Sequence, residues 1–145
     1  MSGYQVELEN SPRKFAGGIY DERRRGWLYP LSRNEKGRKA FRNGEWNHFR
    51  VEFIGDSLQV WVNGIQTANL ADSLTAKGII ALQVHSISNE SMVGKTVRWK
   101  NIRILTSNLA DHRTPTDPEV EQVSYLINQL TDQEVRRGWR LLWDG

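Results

Sequence analysis

Apolar and polar residues alternate along several short stretches of this chain, and such alternation is typical of half-buried β-strands. The stretches with this pattern are Tyr4–Glu9, His48–Phe53, Leu58–Val62, Ile65–Ala68, Ile79–His85 and Thr96–Ile104. Turn residues separate them, and Asn63-Gly64 is the strongest hairpin signal because both positions of a type I′ turn require positive φ. The pattern therefore predicts an all-β protein built as an antiparallel β-sandwich.

The pattern changes after residue 106, where a polar, proline-punctuated linker is predicted over residues 107–117. Asp117-Pro118-Glu119 then has the cap oxygen, first-position proline and first-turn acid of a helix start. Helical spacing of the apolar residues follows at Val120, Val123, Ile127 and Leu130.

A second short helix and a new strand are predicted beyond that point. Thr131–Glu134 has the form of a capping box, and Gly138 is the expected helix stop. Trp139–Gly145 then predicts the beginning of a strand. The expected organisation is a β-sandwich over residues 1–106, the linker over 107–117, and a helical segment with a first strand over 118–145.

The net charge of +3 hides a basic and an acidic part. Residues 1–106 carry 16 Lys/Arg against 10 Asp/Glu, whereas residues 107–145 carry 4 against 7. A solvated basic loop explains Arg23-Arg24-Arg25 better than nucleic-acid binding, which would need cations interleaved with aromatics along a groove. We therefore expect no nucleic acid as partner. The apolar runs are also too short to span a bilayer, and the chain has no cysteine for a disulfide or thiolate metal site.

The first predicted strand has one unusually polar face. Successive strand residues point to opposite sides, so Gln5, Glu7 and Glu9 line one face while Tyr4 and the apolar residues that alternate with them line the other. Carboxylates and amides in a flat row are suited to hydrogen bonding with sugar hydroxyls. The stretch that follows adds Tyr20, Asp21 and Trp27 at and beyond a Gly-Gly pair, in a segment interpreted as a turn and tight loop.

Seven short motifs in a fixed order resemble those of the bacterial 3-keto-disaccharide hydrolase family. They are Gly3–Glu7, Gly17–Glu22, Arg25–Pro30, Gly44–Asn47, Trp61–Gly64, Leu82–His85 and Val97–Ile104. The resemblance covers residues 3–105 and implies a concanavalin A-like jelly roll with a concave sugar-binding face. The domains of this family carry further strands before the Gly3 motif, and residues 130–145 are similar to the opening of a second copy.

The sandwich is thus expected to be incomplete within this chain. The hypothesis is that it is completed by the Trp139–Trp143 strand folding back or by a partner, as a homo-oligomer or by strand exchange, since uncovered edges and apolar faces invite pairing. Because the family is usually exported, we expect a periplasmic or extracellular location, with the signal segment outside this chain.

The activity implied by the resemblance is cleavage of 3-keto-glycosides. A ketone at C3 acidifies the C2 hydrogen, so proton abstraction allows β-elimination of the C1 substituent and hydration then completes a net hydrolysis. From residue type and face, Glu7 is predicted as the base and His85 as a general acid. The alternatives are a solvated surface glutamate and a histidine that is merely hydrogen-bonded.

Substrate binding is predicted for Tyr20, Asp21 and Trp27, for Gln5 and Gln83 on the polar face, and for Arg98, which could offset enolate charge. For Trp27 the competing interpretation is anchoring of its loop, and for Arg98 a cross-strand ion pair. The cofactor stays unknown. A divalent metal held by His85 with Glu7 or Asp21 is one hypothesis, but no short-spaced cluster dictates a metal.

Two other functions stay open from the sequence. The alternation Gln5-x-Glu7-x-Glu9 resembles the Glu-x-Asp-x-Glu strand of laminarinase-type glycosidases, although the amide at the first position weakens direct glycosidase chemistry. A non-catalytic, lectin-like module that only binds glycans would keep Trp27 and the polar face without needing a base.

Overall fold

The computed structural model describes residues 2–87 and 89–143, and most of their regular structure lies in two small β-sheets. The first sheet is antiparallel and has the strands β1 (Gly3–Val6), β2 (Ile19–Glu22) and β3 (Gly26–Tyr29) in that order. The second has the order β4-β5-β6-β7, with β4 (Phe49–Ile54), β5 (Ser57–Val62), β6 (Ile65–Ala71) and β7 (Val123–Ser124). One short helix, α1 (Asp132–Arg136), follows. Short 3-10 turns lie at Leu31–Arg33, Gly37–Lys39, Glu90–Met92 and Leu109–His112.

The two sheets pack face to face around one apolar core, which confirms the all-β sandwich. The second sheet contributes Leu58, Val60, Ala68 and Leu70, and the first contributes Ile19, Leu28 and Tyr29. All seven side chains are at most 5% exposed. The hairpin predicted at Asn63-Gly64 is present, with φ of 51° and 80° at the two residues. Among the described residues no helix is long and apolar enough to cross a membrane.

Strand β4 at the edge of the second sheet is covered only in part. Val51 lies opposite Val60, so the two side chains share the core face. Val60 is fully buried, yet Val51 is 52% exposed. Phe53 on the same face touches Tyr4 edge-on at 5.4 Å and remains 42% exposed. The first sheet therefore covers β5 and β6 and leaves the core side of β4 partly open.

The strands predicted at Ile79–His85 and Thr96–Ile104 are not present, so that part of the prediction is wrong. Both stretches are irregular, and their alternating apolar side chains face solvent. The exposed side chains include Ile80 at 79%, Leu82 at 54%, Val84 at 67%, Ile102 at 66% and Ile104 at 67%. The physical reason is that a strand depends on a hydrogen-bonded neighbour and a covered face, and these stretches have neither in the described part of the chain.

The helix predicted after Asp117 is also wrong. The cap chemistry is present, because the Asp117 carboxylate accepts the Glu119 amide at 3.0 Å and its carbonyl accepts the Val120 amide at 3.0 Å. The chain then leaves the helical path, since Val120 enters the core and Val123–Ser124 pairs in parallel with β6. Burial against the sandwich therefore outweighs local helix propensity here.

The last predicted elements have mixed outcomes. The second helix is confirmed as α1, with both capping-box hydrogen bonds between Thr131 and Glu134 and with Gly138 at φ 84° just beyond it. The strand predicted to begin at Trp139 is absent, and Trp139 and Trp143 are 65% and 73% exposed. That part of the prediction is wrong up to Trp143, and its final residues, 144–145, lie outside the described residues.

Candidate functional site

The polar row predicted on the first strand lies on one face of the three-stranded sheet. The ladder continues beyond β1, because the Glu7 amide donates to the Gly18 carbonyl at 2.9 Å and the Gly17 amide donates to the Glu7 carbonyl at 2.8 Å. Tyr20 lies directly opposite Gln5, so both share a face with Glu7. The Gln5 amide nitrogen is 3.4 Å from a Glu7 carboxylate oxygen. The structure therefore brings together Gln5, Glu7 and Tyr20.

Glu7 has the electrostatic environment of a carboxylate that can take up a proton. Burial raises its pKa, and the neighbouring Glu9 carboxylate raises it further. Electrostatic interactions with Arg13 and with the nearby His85 lower the pKa of Glu7, but the net shift is still upward. His85 is exposed and lies in an irregular stretch, yet it is near enough to Glu7 to influence the pKa of the carboxyl group.

Trp27 lies beside Tyr20 and is held on several sides. Its ring meets the rings of Tyr20 at 5.2 Å and Phe15 at 5.1 Å, both edge-on, and the Arg13 guanidinium is 5.0 Å from its centroid. The segment interpreted as a tight loop is in fact the β2–β3 hairpin, in which Tyr20 pairs with Trp27. A half-buried ring at the rim of a polar face is suited to stacking on a sugar, and the same contacts anchor the hairpin.

Asp21 has a different surrounding from the one predicted. Its side chain is fully buried, and its two oxygens accept Arg24 at 2.6 Å and Arg25 at 2.7 Å. Because it follows Tyr20 in the strand, it points away from the face of Glu7. The two arginines engage both oxygens of the carboxylate. The substrate-binding role of Asp21 stays a prediction.

Arg25 links Asp21 to a second buried carboxylate, Asp72, which sequence reasoning missed. The Arg25 terminal nitrogen is 2.6 Å from Asp72, and the Tyr4 hydroxyl also hydrogen-bonds to this carboxylate. Burial opposes ionisation of Asp72, but the hydrogen bonds from Arg25 and Tyr4 outweigh it, so the pKa of Asp72 is lowered. The solvated loop expected for the arginine run is therefore wrong for Arg25, because nothing in the sequence indicates that Asp72, 47 residues further on, lies beside it.

Gln83 and Arg98 lie in the two irregular stretches and are exposed. Their substrate-binding roles stay predictions, as do those of Gln5, Tyr20 and Trp27. For a metal, the described residues contain no group of three or more His, Asp or Glu side chains that could hold an ion. Of the residues named for one, Asp21 has both carboxylate oxygens engaged by arginines, on the side of the strand away from Glu7.

The fold and this face define an all-β sandwich domain that presents a polar, aromatic-flanked surface. The sequence model described as the 3-keto-alpha-glucoside-1,2-lyase-like domain matches residues 1–105, and the chain belongs to this family. The match confirms the resemblance expected from the seven motifs. No curated protein sequence matches the chain.

Proposed function

We propose that the domain cleaves 3-keto-glycosides, with Glu7 as the base that removes the C2 proton. The observation that carries the proposal is the half-buried Glu7 carboxyl, whose raised pKa suits proton transfer nearer to neutral pH. It lies on a polar face beside Tyr20, in a chain whose family is named for lyase chemistry on 3-keto-glucosides. Carbohydrate is therefore the proposed substrate class.

The reaction follows from the chemistry of a β-elimination. Glu7 accepts the proton from C2, and the C–H electron pair forms the enolate with the C3 ketone. Collapse of the enolate expels the C1 substituent, whose oxygen takes a proton from His85, and water then adds across the resulting double bond. Among the remaining polar residues, Gln5 and Gln83 would bind hydroxyls and Arg98 would offset the enolate charge. Tyr20 and Trp27 would hold the ring.

Replacing Glu7 by glutamine is expected to lower the rate of 3-keto-glucose release from a 3-keto-disaccharide by at least about 100-fold, the usual contribution of a general base. The base must be ionised, so wild-type activity should rise with pH through a pKa above the ordinary glutamate range. Mass spectrometry of the released sugar measures both effects. Glu90→Gln, at an exposed carboxylate in the Glu90–Met92 turn, is the matched control.

Two results would contradict this assignment. Equal rates for wild type and Glu7→Gln would remove Glu7 from the chemistry. Sugar binding by both proteins with no turnover in either, in the presence of divalent metal ions, would favour the lectin-like alternative instead.

The same sandwich is proposed to be completed by a partner, namely a second copy that exchanges strand segments. The partly uncovered core side of β4 and the exposed alternating stretches at 79–85 and 96–104 support this proposal. Folding back of Trp139–Trp143 has no support, because this segment is exposed and forms no strand. The further proposals that residues 118–145 begin a second domain copy and that the protein is exported rest only on the family resemblance.

Light scattering after size-exclusion chromatography is expected to give at least twice the 16.8 kDa mass of the chain. Val84→Glu should shift the population toward monomer, since a charge would be desolvated on association. Ala76→Glu, at an exposed position outside both stretches, should leave the mass unchanged. A monodisperse wild-type monomer would refute strand exchange.

A further inference from the structure

A cleft of about 420 Å³, whose lining begins at Glu9 two residues beyond Glu7, has no role in the mechanism above. It is formed where the loop after β1 meets the segment of the Gly37–Lys39 turn. The side chains used in the following argument are Asn10, Lys14, Arg38, Lys39, Phe41 and Asn43, all of which line it. Three of the six are cationic, two are amides, and one is an aromatic ring.

The single carboxylate in the lining, Glu9, is already neutralised. Its oxygens accept the Arg13 guanidinium at 2.8 Å, the Ser11 hydroxyl at 2.9 Å and the Phe15 amide at 2.7 Å. The Glu9 side chain is only 11% exposed, and these hydrogen bonds hold the loop after β1 together. The cleft therefore presents positive charge.

Lys14 is placed at the cleft by an uncommon backbone conformation. Its φ is 56°, in the left-handed region that lysine rarely adopts, and its amide donates to the Ser11 carbonyl at 3.0 Å. Its ammonium group forms no ion pair with any of the residues that the structure describes. Backbone strain of this kind clusters at ligand and active sites, and here it holds a cation without a counter-charge among the described residues.

Arg38 on the opposite wall has unmet hydrogen-bonding capacity. Its terminal nitrogens are 3.3 Å from the Arg13 carbonyl and 3.3 Å from Glu35, both long contacts. Its buried Nε has no acceptor in the structure. Glu35 also binds Lys39 at 3.2 Å, so one exposed carboxylate is shared by two cations. An incoming oxyanion would supply a closer acceptor for the terminal nitrogens of the 33% exposed Arg38 side chain, whereas the buried Nε stays out of its reach.

We propose that this cleft binds the oxyanion of an acidic sugar residue, with the saccharide ring against Phe41 and its hydroxyls on Asn10 and Asn43. The proposal deepens the proposed function, because Glu9 lines the cleft and its carboxylate also acts on the pKa of Glu7. An anionic glycoside bound here would lie beside the proposed base. Binding itself does not depend on turnover, so the two proposals fail separately.

The test compares methyl β-D-glucuronide with methyl β-D-glucoside, two glycosides that differ in one carboxylate and carry no ketone. Titration of the full chain, followed by calorimetry and NMR, should show at least about fivefold tighter binding of the glucuronide. Lys14→Gln should weaken glucuronide binding by about threefold to fivefold, which is the size of one partly exposed charge pair. It should leave glucoside binding unchanged, and added salt should reduce the preference.

Lys77→Gln is the matched control, because it removes one exposed lysine elsewhere and should leave glucuronide binding unchanged. Equal affinity for the two glycosides would overturn the proposal. An equal loss in Lys77→Gln and Lys14→Gln would overturn it as well, since it would assign the effect to net charge. If the wild-type chain releases no 3-keto-sugar but still binds the glucuronide more tightly than the glucoside, only the catalytic proposal is refuted.

Discussion

Replacing Arg25 by alanine is expected to lower the free energy of unfolding by about 3 kcal/mol, at the low end of the range for breaking a buried ion pair. Of the residues that the structure describes, Arg25 alone bridges Asp21 and Asp72, which are 0% and 2% exposed. Without it, Asp72 keeps only neutral donors, and both carboxylates remain out of water. The low end applies because the arginine side chain itself is 33% exposed. Urea unfolding monitored by tryptophan fluorescence measures the change.

Arg23→Ala provides the comparison for Arg25. Arg23 comes from the same arginine run, but its ion pair with Glu22 is long, at 3.8 Å, and its side chain is 73% exposed. Its replacement should change the free energy of unfolding by less than about 0.5 kcal/mol. Equal stability of the two variants would mean that the buried network does not stabilise the fold.

Replacing Gly17 by alanine is expected to destabilise the protein by about 2–4 kcal/mol, from backbone strain and overpacking together. Gly17 has φ of 89°, and a Cβ there would lie 2.6 Å from the Thr67 hydroxyl and 2.7 Å from a Val62 methyl group. Both neighbours are buried in the second sheet, and the Thr67 hydroxyl donates to the Gly17 carbonyl at 2.9 Å. To make room for the Cβ, the first sheet would have to move away from the second sheet, and the backbone of Glu7, which pairs with Gly17, would move with it. Thermal and urea unfolding measure the loss.

Gly44→Ala separates the two contributions. Gly44 has a similar φ of 79°, but no atom lies within 4 Å of its hypothetical Cβ. Its substitution should therefore show only the conformational cost of about 1 kcal/mol. If Gly17→Ala proves no more harmful than Gly44→Ala, the close approach of the two sheets at this point is not tight.

The sequence predicts elements well where local pattern and tertiary partner agree. Strands β5 and β6 pair with each other across the Asn63-Gly64 turn, so alternation and turn chemistry suffice to place them. Helix α1 is likewise decided locally by the capping box at Thr131. Each of these elements carries its main hydrogen-bonding partner close by in the sequence.

Prediction fails where the partner is distant or missing. The 79–85 and 96–104 stretches have strand patterns, but alternation cannot report whether a neighbouring strand is present. Val120 and Val123 satisfy helical spacing, yet their side chains pack on the sandwich and the second of them pairs with β6. Periodicity indicates which residues will be buried, but it does not identify the element against which they pack.

In the candidate site too, features set by local pattern could be predicted, whereas features set by distant partners could not. The shared face of Gln5 and Glu7 follows from strand alternation, so it could be predicted. The burial of Asp21 could not be predicted, because it depends on Asp72, just after β6, and on arginines whose side chains turn inward. The basic cleft escaped prediction because loop side chains more than 20 residues apart form its two walls.

Strand β7 has a practical bearing on how the protein is produced for experiments. Val123–Ser124 forms the outer edge of the second sheet, and the Tyr29 hydroxyl donates to the Glu121 carbonyl at 2.8 Å. An expression clone limited to the family-matched residues 1–105 would lack strand β7 and would leave a cavity in the core where Val120 packs. The smallest piece worth purifying therefore reaches at least to Arg136, well past the boundary that sequence similarity suggests.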